Sequence, residues 1–287
     1  MDQVISAIEK IRAQLAQASK ESPTYEKLAY YIDKNLMRII FMTANEVAAE
    51  NNVSQGSVSR FCTSLGYRGY NDFLRNVQQY VSKEITAPQR FQYTSQNNND
   101  HTISNILEME HKNIDEIEAL LHHPNYEKLV SLILSKEHIV LISARMSATL
   151  LPYTCYLFNK IRDDVSSVTP YLPQWDTLNL QDPQKTLFLS FAFPRYPNVL
   201  LSKMEELQKA GFQVAAITDS LISPASAVAN LTLAVPVTSS SIFDIYSSPL
   251  LFINLLIRNV SKRTQGLSER LQSIERQDEI HGIYYKR

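Results

Sequence analysis

A chain of 287 residues with 44% hydrophobic content has material for two domains and a sizeable core. Its formal charge of −1 excludes binding built on non-specific phosphate attraction, and no apolar run approaches the length of a membrane span. Two cysteines, Cys62 and Cys155, sit at apolar helix positions and point to neither a disulfide framework nor a zinc site. The opening MDQVISAIEKIRAQ lacks a signal-peptide core, so the expected location is the cytoplasm.

Ile5, Ile8, Ile11 and Leu15 form one stripe of a first predicted helix. A second starts near Ser22-Pro23, where proline is favoured, and carries Leu28, Ala29 and Ile32. The stretch Thr43–Gly66 then reads as two short helices joined by a tight turn. Thr43 can cap the first, with Val47, Ala48 and Ala49 facing inward; Asn51-Asn52 supplies a residue that tolerates the left-handed conformation. Ser54 can cap the second, with Val58, Phe61, Cys62 and Leu65 inward and Gly66 as the stop. Its other face presents Gln55, Ser57, Ser59, Arg60, Thr63 and Ser64, short hydrogen-bonding groups and one arginine, which suits a major groove. The plainer alternative is a helical hairpin with no ligand. After Tyr67-Arg68-Gly69-Tyr70 a last helix carries Phe73, Leu74, Val77 and Val81.

Residues 1–90 hold 11 Lys/Arg against 9 Asp/Glu, and the remainder 17 against 20. The asymmetry favours DNA at the N-terminal end but is small. Useful affinity then requires a few placed contacts and two reading heads in one oligomer. The predicted domains are an all-α helix–turn–helix domain over 1–85, a polar, aperiodic linker over 86–102, and an α/β domain over 103–287.

Beyond the linker a long amphipathic helix is predicted from Ile103, Ile106, Leu107, Ile114, Ile117, Leu120 and Leu121. Apolar runs follow at His138–Ser143, Val165–Val168, Thr186–Phe193, Gln213–Thr218 and Leu231–Val235, separated by helical segments such as Leu200–Ala210, which Gly211 closes. Strands apolar on both faces and alternating with helices predict a parallel sheet flanked by helices. Ligands collect beyond the C-terminal ends of such strands, in the loops Ser143–Ser147, Phe193–Pro197, Thr218–Ser223 and Val237–Tyr246.

None of the six glycines lies in a strand-to-helix loop, which excludes a P-loop and a dinucleotide fingerprint. Those loops offer hydroxyls, helix starts and arginine instead. Ser147 is placed to cap the helix after the first strand, and Pro197 sits where a helix begins after the third. Arg145 and Arg195 occupy the same two loops and can pair bidentately with an anion; the alternative is a structural or inter-subunit salt bridge for each. The six histidines avoid these loops, and Asp219 and Asp244 are expected to cap a helix or hold a loop rather than move protons. No catalytic residue, metal site or cofactor is expected.

Taken together, the chain resembles the RpiR-like (MurR/RpiR) bacterial transcription regulators, in which a helix–turn–helix domain precedes a SIS (sugar isomerase) domain. The similarity is carried by Phe41-Met42-Thr43, Val53-Ser54, Val58, Arg60-Phe61-Cys62, Leu65-Gly66 and Gly69, with Gly56 where the family usually has alanine. Downstream it is carried by Ile217-Thr218-Asp219-Ser220, Ser223-Pro224, Phe243-Asp244 and Tyr246-Ser247. The family's glycine-rich first loop reads Ser143-Ala144-Arg145-Met146-Ser147 here and keeps only its serine. The second keeps Ser190, replaces the next serine with Ala192 and adds Arg195-Tyr196. The resemblance implies that the second helix of the motif reads DNA through Gln55, Ser57, Ser59 and Arg60. Thr43, Ser54 and Arg68 are expected alongside them.

The expected effector site is Ser147, Ser190, Arg195 and Arg145, holding a phosphorylated sugar. The expected partners are an operator in double-stranded DNA and a second copy of the chain, as dimer or tetramer, with no membrane. The alternatives are a SIS-type phosphosugar isomerase and a regulator whose SIS domain only dimerises.

Overall fold

The computed structural model describes residues 2–81, 86–95, 101–238 and 242–285. The chain divides into two units, one of residues 1–111 with 238–245, the other of residues 112–237 with 246–287.

The helical unit contains α1 (Asp2–Ala18), α2 (Pro23–Lys34), α3 (Leu36–Ile39), α4 (Ala44–Glu50), α5 (Gln55–Ser64), α6 (Tyr70–Val81), α7 (Ala87–Ser95) and the first half of α8 (His101–Leu121). Its core gathers Ile11 and Leu15 of α1, Leu28 and Ile32 of α2, Val47 of α4, Val58 and Phe61 of α5, and Phe73 and Val77 of α6. These are the positions that the 3.6-residue period assigns inward. Ile8 packs at the margin of this core. The expectations for the side chains of Ile5 and Val81 lie outside the described residues. Ala49, expected inward, is exposed, because a seven-residue helix turns only Val47 and Ala48 onto the core.

The segment expected as a linker contains α7. Its start was legible: Thr86-Ala87-Pro88-Gln89 has the residue pattern of a capping box with proline in the first turn, and half of that box forms. The Gln89 side-chain oxygen accepts from Thr86 N and from the Thr86 hydroxyl, both at 2.9 Å. Residues 96–100 of the expected linker lie outside the described residues. The stripe of α8 is only partly buried: Ile117 is covered, whereas Ile103, Leu107 and Ile114 are exposed.

The second unit holds the rest of α8 and then α9 (Pro124–Ser135), β1 (His138–Ser143), α10 (Leu150–Ile161), β2 (Val165–Val168), β3 (Thr186–Ala192), α11 (Asn198–Lys209), β4 (Gln213–Thr218), α12 (Pro224–Ala227), β5 (Leu231–Ala234), α13 (Ser247–Ser261) and α14 (Leu267–Ile280). The five strands form one parallel sheet in the order β2-β1-β3-β4-β5. All five expected strands are present, β3 and β5 ending one residue early. One face packs Ile139, Leu141, Leu189 and Phe191 against α9, α10 and α13. The other packs Val140, Ile142 and Phe188 against Leu200, Met204 and Leu207 of α11 and Trp175 of a 3-10 turn. Because the chain leaves β1 for β2 on one side and returns to β3 on the other, the topological switch point lies between the ends of β1 and β3. Among the described residues, no helix is long and apolar enough to cross a membrane.

Candidate DNA-reading helix and effector site

The two helices of the N-terminal motif are fixed by caps at their starts. Thr43 Oγ1 accepts from Glu46 N at 3.0 Å, and a Glu46 carboxylate oxygen accepts from Thr43 N at 2.6 Å. This reciprocal box satisfies donors that a helix start leaves open. The turn passes through Asn52 at φ 49°, the left-handed conformation, while buried Asn51 donates its side-chain amide to Val47 O at 2.8 Å. Ser54 Oγ then accepts from Ser57 N at 3.1 Å and starts α5.

Burial of Val58, Phe61 and Cys62 turns the opposite face of α5 to solvent, with Gln55, Arg60, Thr63 and Ser64 exposed and Ser57 and Ser59 half-buried. Arg60 folds back along its own helix, donating from Nη2 to Ser57 Oγ at 3.3 Å. A Cβ on Gly56 would meet Arg60 Nη1 at 3.5 Å, an ordinary contact. Exposed Arg68 follows in the turn, its backbone N–H held by Asp72 at 2.9 Å. Thr43 and Ser54 therefore have a capping role before any role toward DNA. The motif's interior holds two groups kept neutral by burial. The Cys62 thiol is pushed up to about 12, and the Tyr70 hydroxyl, hydrogen-bonded to Ile39 O and Met42 O, is raised well above its ordinary range.

In the α/β unit the ends of β1 and β3 lie side by side, Ser143 in register with Phe191. Arg145 and Arg195 follow them, both exposed and both at positive φ, 59° and 65°. Among the described residues neither guanidinium has a hydrogen-bond or ion-pair partner, so neither makes the salt bridge within the chain that was one alternative. Arg145, with Met146, Thr169 and Tyr171, lines a cleft of about 320 Å³ between the loops after β1 and β2.

Two of the expected serines are placed differently. Ser147 does not cap α10; it lies inside the 3-10 turn Arg145–Thr149, 5% exposed, with Oγ 3.1 Å from the Tyr246 hydroxyl. Ser190 is fully buried and donates to Met204 Sδ at 3.2 Å. The period of two along β3 puts it with Phe188 and Ala192 under α11, away from the strand-end loops. Pro197 does precede α11, as expected.

Two residues that motif reading left without a role hold the loops. Tyr246 bonds Ser147 and also packs on Phe193, ring centroids 5.2 Å apart, joining the ends of β1 and β3. Tyr196 donates its hydroxyl to Asp219, which also accepts from Thr218 Oγ1 at 3.2 Å. Burial first, then the Asp219 carboxylate, raises the Tyr196 pKa, so the hydroxyl stays a donor. Asp219 thus holds a loop, as its position suggested. Asp244 does the same in the helical unit, paired with Arg90 of α7 at 2.6 Å.

These features define a helix–turn–helix domain followed by an α/β domain with a doubly covered parallel sheet. Residues 5–84 match the rpiR-family helix–turn–helix domain, so the N-terminal domain is of that type. The second domain has the sugar isomerase fold. It is similar to the sugar isomerase domain of the RpiR transcription factor from Sphaerobacter thermophilus, at 17% identity and a TM-score of 0.52, over 60% of this chain and 97% of that one. The Vibrio vulnificus NanR protein complexed with ManNAc-6P is similar over both domains, at 15% identity and a TM-score of 0.52, covering 93% of this chain and 98% of that one. No curated protein matches the chain by sequence.

Proposed function

We propose that this protein is a cytoplasmic, DNA-binding transcription regulator of sugar metabolism, controlled by a phosphorylated sugar at the strand ends of its α/β domain. The observation that carries the effector half is the pair of exposed arginines, Arg145 and Arg195, without a partner among the described residues, on the two loops flanking the sheet's switch point. A guanidinium free of partners among the described residues is available for bidentate pairing with a phosphate, and Ser147 lies two residues beyond Arg145 in the same turn. The ligand of the NanR relative, ManNAc-6P, belongs to the same chemical class. The reading head is the exposed polar face of α5, and a dimer or tetramer formed through residues beyond about 100 would supply the second head that a nearly neutral chain needs. The loop carboxylates Asp219 and Asp244 are engaged by Tyr196 and Arg90, which supports a sensor rather than an isomerase.

The test is thermal unfolding of the full chain with ManNAc-6P, glucose 6-phosphate and ribose 5-phosphate, each beside its unphosphorylated parent. Selective stabilisation by a phosphorylated member, lost in Arg195→Ala, is expected. Equal shifts with phosphorylated and unphosphorylated sugars would remove the anion site. No shift with any member would favour an α/β domain that only dimerises. Turnover of a phosphosugar would restore the isomerase alternative, and a monomer in sedimentation of the full chain would remove the paired heads.

A further inference from the structure

Asp244 and Tyr246 are one residue apart in the chain, and their side chains are held in different units. Asp244 belongs with the helical unit, where it and Arg90 are 7% and 3% exposed and bonded at 2.6 Å. Tyr246 belongs with the α/β unit, bonded to Ser147 at 3.1 Å and packed on Phe193. Ile245 between them is tied by its N–H to Thr238 O at 3.0 Å. Two residues further on, Ser248 opens the first turn of α13, fully buried, with its hydroxyl lacking a partner among the described residues.

Each end of this short run resists independent movement. A charge as buried as Asp244 cannot leave Arg90 without becoming an unpaired ion in the interior, so it stays or breaks away in a discrete step. Tyr246 cannot shift without releasing Ser147 on the loop after β1 and Phe193 at the end of β3. A short run of chain anchored by a buried ion pair at one end and by a hydroxyl bond and a ring contact at the other has the physical make-up of a coupling element.

We infer that Asp244–Ser248 is the connector by which the strand-end loops control the DNA-reading unit, anchored by Arg90–Asp244 on one side and Ser147–Tyr246 on the other. The control it transmits rests on the reading of those loops as the effector site. An anion drawn in by Arg145 and Arg195 displaces Ser147 and Phe193, Tyr246 follows, and the pull reaches α7 through Asp244. Coupling of this kind is reciprocal, so a change at Arg90 is felt at the loop after β1.

Amide hydrogen exchange on the full chain, without DNA or sugar, tests the connector directly. Tyr246→Phe removes one hydroxyl in the α/β unit and is expected to speed exchange in Ala87–Ser95 of the helical unit. Asp244→Asn is expected to speed exchange in Ser143–Thr149. A change of about tenfold corresponds to ~1.4 kcal/mol of lost coupling. Should Asp244→Asn unfold the helical unit, Arg90→Lys, which keeps the charge but loses the fork, replaces it. Exchange that changes only in the mutated residue's own unit, in both directions, overturns the inference. A sugar panel without effect would remove the effector reading and leave this exchange result standing, so the two fail separately.

Discussion

Arg145 and Arg195 adopt the same left-handed backbone conformation, φ 59° and 65°, in the loops that follow two adjacent parallel strands. A non-glycine residue in that region costs about 1–2 kcal/mol, and here no partner for either side chain among the described residues offsets it. Backbone strain of this kind clusters at active sites, ligand clamps and switch regions. The same reasoning gives the loops their order: Tyr196 on Asp219 and Tyr246 on Ser147 fix the surroundings, and the two guanidinium groups are left facing solvent.

Arg195→Gly therefore separates strain from support. Glycine adopts φ 65° freely, so the melting temperature of the free protein should hold or rise, by up to about 1 kcal/mol of stability. Stabilisation by a phosphorylated sugar should disappear in the same variant. A clear fall in the melting temperature of the free protein would show that Arg195 is a structural residue.

Ser190→Ala tests the placement of the second loop's serine. The hydroxyl lies under α11 against Met204, so its removal should cost about 1 kcal/mol of stability or less. The shift produced by a phosphosugar should be unchanged. A lost shift with stability intact would return Ser190 to the effector site.

The contrast between these two residues shows what the sequence carries. Helix starts and strands are written locally: Thr43 with Glu46, Ser54, and runs such as HIVLIS state their structure within six residues. The burial of Ser190 was legible too, since alternation along β3 places it with Phe188 and Ala192. Arg90–Asp244 was not legible, because no local pattern couples residues 154 apart. The same holds for Tyr246 and Ser147, which only the sheet's strand order brings together. The exposed stripe of α8 misled for a related reason: periodicity reports an apolar face without saying what covers it.

The helical unit should lose stability in alkaline solution. Cys62 has a native pKa of about 12 against an ordinary value of 9.0. Between these values the unfolded chain releases a proton that the native state keeps. Stability is then full below pH 9 and falls as pH rises, by up to about 1.4 kcal/mol per unit. Tyr70, also raised by burial, adds the same sign from its ordinary value of 10.0 upward. Circular-dichroism melts from pH 8 to 11 should show this decline, and Cys62→Ala, though less stable at pH 8, should decline less steeply. Parallel slopes would mean that Cys62 does not carry the effect.

Gly56→Ala should stabilise the reading helix. The added methyl meets nothing closer than Arg60 Nη1 at 3.5 Å and Ser54 Oγ at 3.8 Å, and Gly56 is not among the glycines with positive φ. Alanine is favoured over glycine by about 0.8–1.0 kcal/mol in a helix interior, and less in the first turn. A higher melting temperature with unchanged DNA affinity is the expected result. A lower affinity would mean that the backbone at Gly56 approaches the DNA too closely for a methyl group.

Arg60→Ala should weaken binding to an operator selected from random duplexes, by about 1–3 kcal/mol if the fork pairs with a guanine. Arg60 is exposed on the face opposite Val58 and Phe61, and its side-chain bond to Ser57 Oγ, at 3.3 Å, is weak enough to exchange for a base edge. Its substitution leaves the core of the motif untouched, so a change in affinity reports the interface rather than the fold. Arg68→Ala is the companion. It lies in the turn beyond the helix, where contact with the DNA backbone is the expected mode. Its loss should weaken selected and random duplexes alike and make the salt dependence of binding shallower by about one ion. Titrations of both variants on both duplexes, at two salt concentrations, distinguish the roles. Arg60→Ala with full affinity for the selected duplex would take Arg60 out of the interface. A uniform loss with a shallower salt slope would move it from base reading to the phosphate backbone.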